Sequence, residues 1–173
     1  GCCVTTGVGA ALWTAKVQPG TSVVVIGCGG VGLNIIQGAA LAGAERIIAV
    51  DTLPSKLEYA EVFGATHRVN ASEVDPVLAV RELTKGRGAD LVVELAGVAA
   101  TVRAGMALTR IGGTLILAGT VLPTPAVPLD PESVVRRLLT IRGVHNYGPH
   151  DLAAALDYLA GSGKAFPWAE LVH

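Results

Sequence analysis

Three glycines and an acid stand at spacings suited to nucleotide chemistry in VVVIGCGGVGLNIIQGAALAGAERIIAVD, residues 23–51. Gly27, Gly29 and Gly32 form a G-x-G-x-x-G run directly after an apolar segment, and Asp51 closes a second apolar segment 19 residues beyond Gly32. A strand-to-helix turn that carries a pyrophosphate needs its first glycine for tight geometry and its second for close backbone approach to the phosphates. The third lets helix and strand pack together. The phosphates then lie at the helix N-terminus, where free N–H groups and the helix dipole favour negative charge. Gly30, inside the same turn, belongs to the same predicted contact. An acid ending the next strand accepts hydrogen bonds from a ribose 2′-OH. In a chain with 22 glycines the motif alone is weak. Its place between a strand-like and a helix-like segment, with the acid following, gives it weight. The bland alternative is a tight structural turn and an unrelated strand-end acid.

Asp51 also bears on the choice of nucleotide. A carboxylate there repels the 2′-phosphate of NADP, and no arginine follows directly to neutralise it. Thr52, Leu53, Pro54 and Ser55 come next, then Lys56, which either reaches the ribose or is a solvated helix residue. The predicted cofactor is NAD(H). Flavin and S-adenosylmethionine sites share parts of this signature, because a fold alone does not set a function.

The elements that must hold these residues read as short β-rich runs alternating with helix-length segments. Strands are expected near 22–27, 46–51, 67–70, 90–96, 113–118 and 140–144. Their nearly continuous Val, Ile and Leu content suits strands covered on both faces of a parallel sheet. Helices are expected over 30–42, 54–63, 75–84, 99–109 and 131–138. Asp75 with Pro76, and Asp130 with Pro131, read as an N-cap plus first-turn proline; Gly64 and Gly86 read as stops. One helix near 5–16 precedes the sheet and another near 150–160 follows it. The alternation predicts an α/β fold, a Rossmann-type doubly wound parallel six-stranded sheet with helices on both faces, spanning 1–173 as one NAD(P)-binding domain.

Composition narrows the rest. A net charge of −1 with 16% charged residues offers no basic surface for nucleic acid. The apolar runs break well short of the ~20 residues a membrane span needs. The opening GCCVTTGVGAA has neither an initiator Met nor a basic n-region, so it reads as the interior of a longer protein and not as a signal peptide. Three cysteines are too few for a disulfide scaffold and suit a reducing, cytoplasmic setting.

The segments GCCVTTGVGAALWTAKVQPG, GCGGVGLNIIQGAALAGAERIIAVD and FGATHRVN resemble the medium-chain, zinc-dependent alcohol dehydrogenase family, and the resemblance covers essentially the whole chain. It implies the nucleotide-binding domain of such an enzyme without its GroES-like catalytic domain, a fragment inactive alone. The implied reaction oxidises an alcohol to an aldehyde or ketone, or the reverse, by hydride transfer with NAD(H). In the family pattern G-C-x-x-[ST]-T-G-x-G a catalytic zinc ligand falls at Cys2. Its partners, a Cys and a His, would lie in the missing domain. A thiolate suits zinc, which in catalytic sites takes three protein ligands and keeps one position open. Thr6 matches a threonine beside the nicotinamide, and Val31 the residue that presses on the far face of the ring. Ala96 would pack against adenine. Ala118 and Val144 would offer backbone carbonyls, and Asn146 a backbone N–H, to the carboxamide. Each also reads as ordinary strand-end packing, and Cys2 and Cys3 in isolation as two small buried residues.

A zinc-independent reductase domain of the same superfamily is the nearest alternative, against which Cys2 argues. A non-catalytic NAD-binding or redox-sensing module is the alternative from a different class. Cys rather than Glu at position 2 leans toward simple alcohols. The family also implies edge-to-edge pairing of the last strand across a two-fold axis, which puts residues 134–142 at a homo-oligomer, dimer-type interface. Cys28 departs from the usual apolar residue in the turn. A helix N-terminus lowers a thiol pKa, and inert packing is the other reading. His145 and Tyr147 fall beside the expected nicotinamide mouth without an assigned role.

Overall fold

The computed structural model describes residues 2–11, 15–146 and 149–161. Six short strands, rich in β-branched residues, form one all-parallel sheet: β1 (Ser22–Ile26), β2 (Arg46–Asp51), β3 (His67–Asn70), β4 (Ala89–Glu94), β5 (Thr109–Leu117) and β6 (Thr140–Gly143). Their order is β3-β2-β1-β4-β5-β6. Central strand β1 is buried along its whole length and pairs on both sides, Val24 with Ile48 and with Val92. The helices are α1 (Cys2–Gly9), α2 (Gly30–Leu41), α3 (Pro54–Val62), α4 (Pro76–Leu83), α5 (Ala99–Leu108), α6 (Pro131–Arg136) and α7 (Pro149–Ala160).

The alternation of side chains along each strand builds two cores. Val23, Val25, Ile47 and Ala49 meet Leu33 and Ile36 of α2 and Leu57 and Ala60 of α3 on one face. Val24, Ile26, Ile48 and Val50 meet Val80 of α4 and Leu108 of α5 on the other. Burying each of these Val, Leu and Ile side chains stabilises the fold by about 1.5–3 kcal/mol. The expected sheet, with helices on both faces, is therefore the observed one. The strand order reverses between β1 and β4, and in open α/β sheets the crevice at that switch point, outside the carboxyl ends of the strands, is where ligands bind.

Several boundaries differ from expectation for identifiable reasons. Helix α1 starts at Cys2 rather than residue 5, since no breaker interrupts CCVTT; residues 12–14 of the expected helix lie outside the described residues. Strand β4 stops at Glu94, because Gly97 turns the chain with φ +72°. Strand β5 begins at Thr109, four residues early. A register shift opposite Ala89 and Leu91, together with Gly112 at φ +71°, absorbs the irregularity. Edge strand β6 is exposed at all four residues, and α6 has no buried residue. No helix among the described residues is long and apolar enough to cross a membrane.

At the amino end of the sheet one carboxylate ties three strands. Asp90 of β4 accepts from Ser22 N–H of β1 at 2.9 Å and from the Ser22 hydroxyl at 2.5 Å. It also pairs with Arg87 at 2.7 Å and with Arg110 of β5. Burial alone would raise the Asp90 carboxyl. The hydrogen bonds from the Ser22 hydroxyl and N–H and from Arg110, with the Arg87 charge, outweigh burial and hold it well below the usual carboxylate range. Because the folded value lies below the unfolded one, this contribution is complete above about pH 4 and is lost as the pH falls further. Asp90→Asn should cost about 2 kcal/mol at pH 7. In urea titrations the gap between wild type and variant should shrink steadily below pH 4; a gap independent of pH there would refute the assignment.

Candidate functional site

A cavity of about 760 Å³ opens at the carboxyl ends of the strands. Its floor is the glycine turn between β1 and α2. Gly27 sits at φ +99°, a conformation side chains resist. At Gly32 a Cβ would lie 2.1 Å from the Gly27 carbonyl oxygen, so no larger residue fits there. Gly29 behaves differently, since a Cβ there would meet no protein atom within 4 Å. Its lack of a side chain serves no packing inside the chain and leaves bare backbone beside the cavity that Gly29 lines.

Helix α2 is left without a side-chain cap. Its N-cap, Gly29, makes no side-chain hydrogen bond. Helices α3 and α5 also start without a capping side chain, whereas Asp75 accepts from Val77 N–H at 2.7 Å at the start of α4, and Asp130 from Glu132 N–H at 3.0 Å at the start of α6. At α2, unlike α4 and α6, no side chain accepts from the N–H groups of the first helical turn. That chemistry fits a diphosphate.

Asp51 forms one rim. Its Oδ2 accepts from Cys28 N–H at 2.8 Å, and its Oδ1 from Thr52 N–H at 2.8 Å and Leu53 N–H at 3.1 Å. The carboxylate therefore fastens the glycine turn to the entry of α3, a task that sequence reading missed. The only available signal was an Asp three residues before a helix, a local capping pattern. Lys56 Nζ lies 3.9 Å from Asp51 Oδ2 with its side chain 44% exposed, so it lines the cavity and is half-solvated at once.

The other predicted residues converge on the same cavity. Thr6 arrives on α1, which packs against α2, while Gly30 and Val31 come from α2 itself. Ala96, Ala118 and Val144 follow the ends of β4, β5 and β6, and Asn146 lies two residues further on. His145 also lines it, its Nε2 3.1 Å from Asn146 Nδ2. Cys3, read in isolation as a small buried residue, is instead exposed and lines the cavity, as does Thr101, which did not stand out in the sequence. The Cys2 side chain and Tyr147 lie outside the described residues. Among the described residues no group of three His, Cys, Asp or Glu side chains is placed to hold a metal. The zinc expected at Cys2 therefore does not find its donor set within them.

With this geometry in hand, comparison with known proteins gives a consistent picture. The profile of the zinc-binding dehydrogenase family matches residues 30–161. The chain is 59% identical over 75 residues to an alcohol dehydrogenase class-3 of Cereibacter sphaeroides, covering 43% of this chain and 20% of that protein. It is 51% identical over 98 residues to an S-(hydroxymethyl)glutathione dehydrogenase of Synechocystis, covering 56% and 27%. Among solved structures it is similar to an alcohol dehydrogenase zinc-binding domain protein from Burkholderia ambifaria, with TM-score 0.90 and 35% identity over 99% of this chain and 46% of that one. Benzyl alcohol dehydrogenase of Acinetobacter calcoaceticus gives TM-score 0.89 and 34% identity, covering 99% and 47%. The chain thus spans less than half the length of these solved relatives.

Cys28 decides between its two readings. It stands just before α2, yet its side chain is turned into the core and only 1% exposed. Burial first, and then the Asp51 charge, push its thiol up to about 12, against smaller opposing effects of Lys56 and the Val50 carbonyl. The helix terminus does not activate it, and the inert reading holds. In the folded chain at pH 8, iodoacetamide should leave Cys28 unmodified over hours, while the urea-unfolded chain is labelled there within minutes. Peptide mass mapping checks this, and rapid labelling of the folded form would contradict it.

Proposed function

Because the chain belongs to the zinc-binding dehydrogenase family, we propose that residues 1–173 are the NAD(H)-binding Rossmann domain of an alcohol dehydrogenase, with a GroES-like catalytic domain encoded elsewhere in the protein. The observation that carries this reading is the uncapped N-terminus of α2 beneath a glycine turn that leaves its backbone bare. The pyrophosphate rests on Gly29, Gly30 and the following N–H groups. Asp51 receives the adenosine ribose, Ala96 flanks adenine, and Val31 presses the nicotinamide toward Thr6. Ala118, Val144 and Asn146 hold the carboxamide.

A bound nicotinamide supplies the hydride acceptor or donor. The residues of this chain orient it, fix which ring face meets substrate and exclude water from that face. The substrate class proposed is a simple alcohol or its carbonyl product, in keeping with the alcohol dehydrogenase relatives. Cys2 is proposed as one ligand of a zinc whose other ligands come from outside this chain. The exposed β6 edge, with Val135 and Leu138 each 71% exposed on the segment before it, supports homo-oligomer formation there. Cysteine usage supports a reducing, cytoplasmic setting.

Calorimetric titration with NADH and NADPH tests the cofactor assignment. NADH should bind at least about tenfold more tightly, since a like charge facing the 2′-phosphate costs that much or more. Asp51→Asn, which removes the charge and keeps one of the two accepting oxygens, should bring the two affinities close together. Equal affinities in the wild type would overturn the role given to Asp51. A folded chain that binds neither nucleotide would overturn the reading of these residues as a self-sufficient cofactor site.

A further inference from the structure

Glu94, the last residue of β4, is 0% exposed, and no other charged residue among the described ones is fully buried. No Lys, Arg or His pairs with it among those residues. A carboxylate in such a place is costly unless strong hydrogen bonds hold it. Its Oε1 accepts from Gly97 N–H at 2.8 Å and from the Thr101 hydroxyl at 2.7 Å. Its Oε2 has no partner and is also buried. A buried carboxyl with one oxygen unpaired calls for a reason beyond packing.

The location supplies that reason. Leu95 and Ala96, immediately after Glu94, and Thr101, on the first turn of α5, all line the cavity. The Glu94 side chain spans them, fixing the turn at Gly97 and the helix entry at Thr101. Its main-chain carbonyl separately accepts from Ala118 N–H at 3.0 Å and Gly119 N–H at 2.9 Å, so the wall beyond β5 hangs on the backbone and not on the carboxylate. Strand β1 lies between β2 and β4, so Asp51 and the 95–98 turn flank the glycine turn from opposite sides.

We propose that Glu94 is a positioning residue for the adenosine half of the dinucleotide: its buried carboxylate holds Ala96 and Thr101 at the cavity wall where the adenosine lies. This rests on the cofactor reading above. A carboxyl group suits the task because a single oxygen, Oε1, accepts from both the Gly97 N–H and the Thr101 hydroxyl and so ties the turn to the helix entry. The nicotinamide half, held beyond β5 and β6, is independent of this side chain.

The test uses Glu94→Met, which keeps length without an acceptor, Glu94→Gln, which keeps an acceptor, and Thr101→Val, which removes one donor. Dissociation constants are measured for AMP, NADH and nicotinamide mononucleotide, with amide exchange at Gly97 as an independent readout of the turn. Glu94→Met should weaken AMP and NADH by the same factor, about tenfold, leave nicotinamide mononucleotide within about twofold, and speed exchange at Gly97. Glu94→Gln should restore AMP binding to within about threefold of wild type, and Thr101→Val should weaken it by about threefold. Unchanged AMP affinity in a folded Glu94→Met chain overturns the proposal, as does an equal loss for AMP and nicotinamide mononucleotide. If Glu94→Met does not fold, Thr101→Val decides: undiminished AMP affinity there overturns it. A wild-type chain that binds neither AMP nor NADH overturns the cofactor reading and this proposal together, whereas wild-type binding with an indifferent Glu94→Met overturns this proposal alone.

Discussion

No side chain fits between the third glycine of the turn and the carbonyl oxygen of the first, where a Cβ would stand only 2.1 Å away. That steric limit lets α2 start directly against the carboxyl end of β1. With its first turn pressed to the strand, α2 sends Leu33, Ile35 and Ile36 into the core over Val23 and Val25. Its N-terminus is then aimed into the crevice where the strand order reverses. The same turn is gripped from the neighbouring strand, because the Asp51 carboxylate takes the Cys28 N–H. Steric contact below and a charge-assisted hydrogen bond from the side leave the phosphate-facing backbone little freedom. A preorganised anion site follows, since the ordering cost is met when the domain folds and not when ligand arrives.

Strand β4 carries a carboxylate near each end, and their surroundings assign them different work. Asp90, near the amino end, is partly solvated and faces two arginines and a serine. That is an arrangement for stability, joining β1, β4 and β5 below the cores. Glu94, at the carboxyl end, has no counter-ion and is fully buried. It organises a turn instead of neutralising a charge. The division follows the fold, in which one end of the sheet closes the structure and the other holds the cavity.

Capping follows the same division of labour. Asp75 and Asp130 close α4 and α6, where the helix start has only itself to satisfy. At α2 the cap is a glycine and the N–H groups lie beside the cavity. Asp51 divides its two oxygens between the entry of α3 and the glycine turn. Cys28 is caught beneath it. The burial that makes the turn rigid also raises the thiol out of the reactive range.

Much of this was legible before any coordinates. The six strands, the helices on both faces, the glycine turn and Asp51 are local patterns, set by side-chain period, turn stereochemistry and the spacing of one motif within some thirty residues. What the tertiary structure decided was how distant residues meet. The Asp51 bond to Cys28 spans 23 positions, the Ser22 bond to Asp90 spans 68, and the early start of β5 depends on a register shift against β4. The convergence of Thr6, Ala96, Ala118, Val144 and Asn146 on one cavity likewise exists only once the sheet has assembled. Periodicity records which face of an element is buried. It does not record which partner lies across that face, because the partner is chosen by long-range packing and by the few polar groups that must find each other inside it.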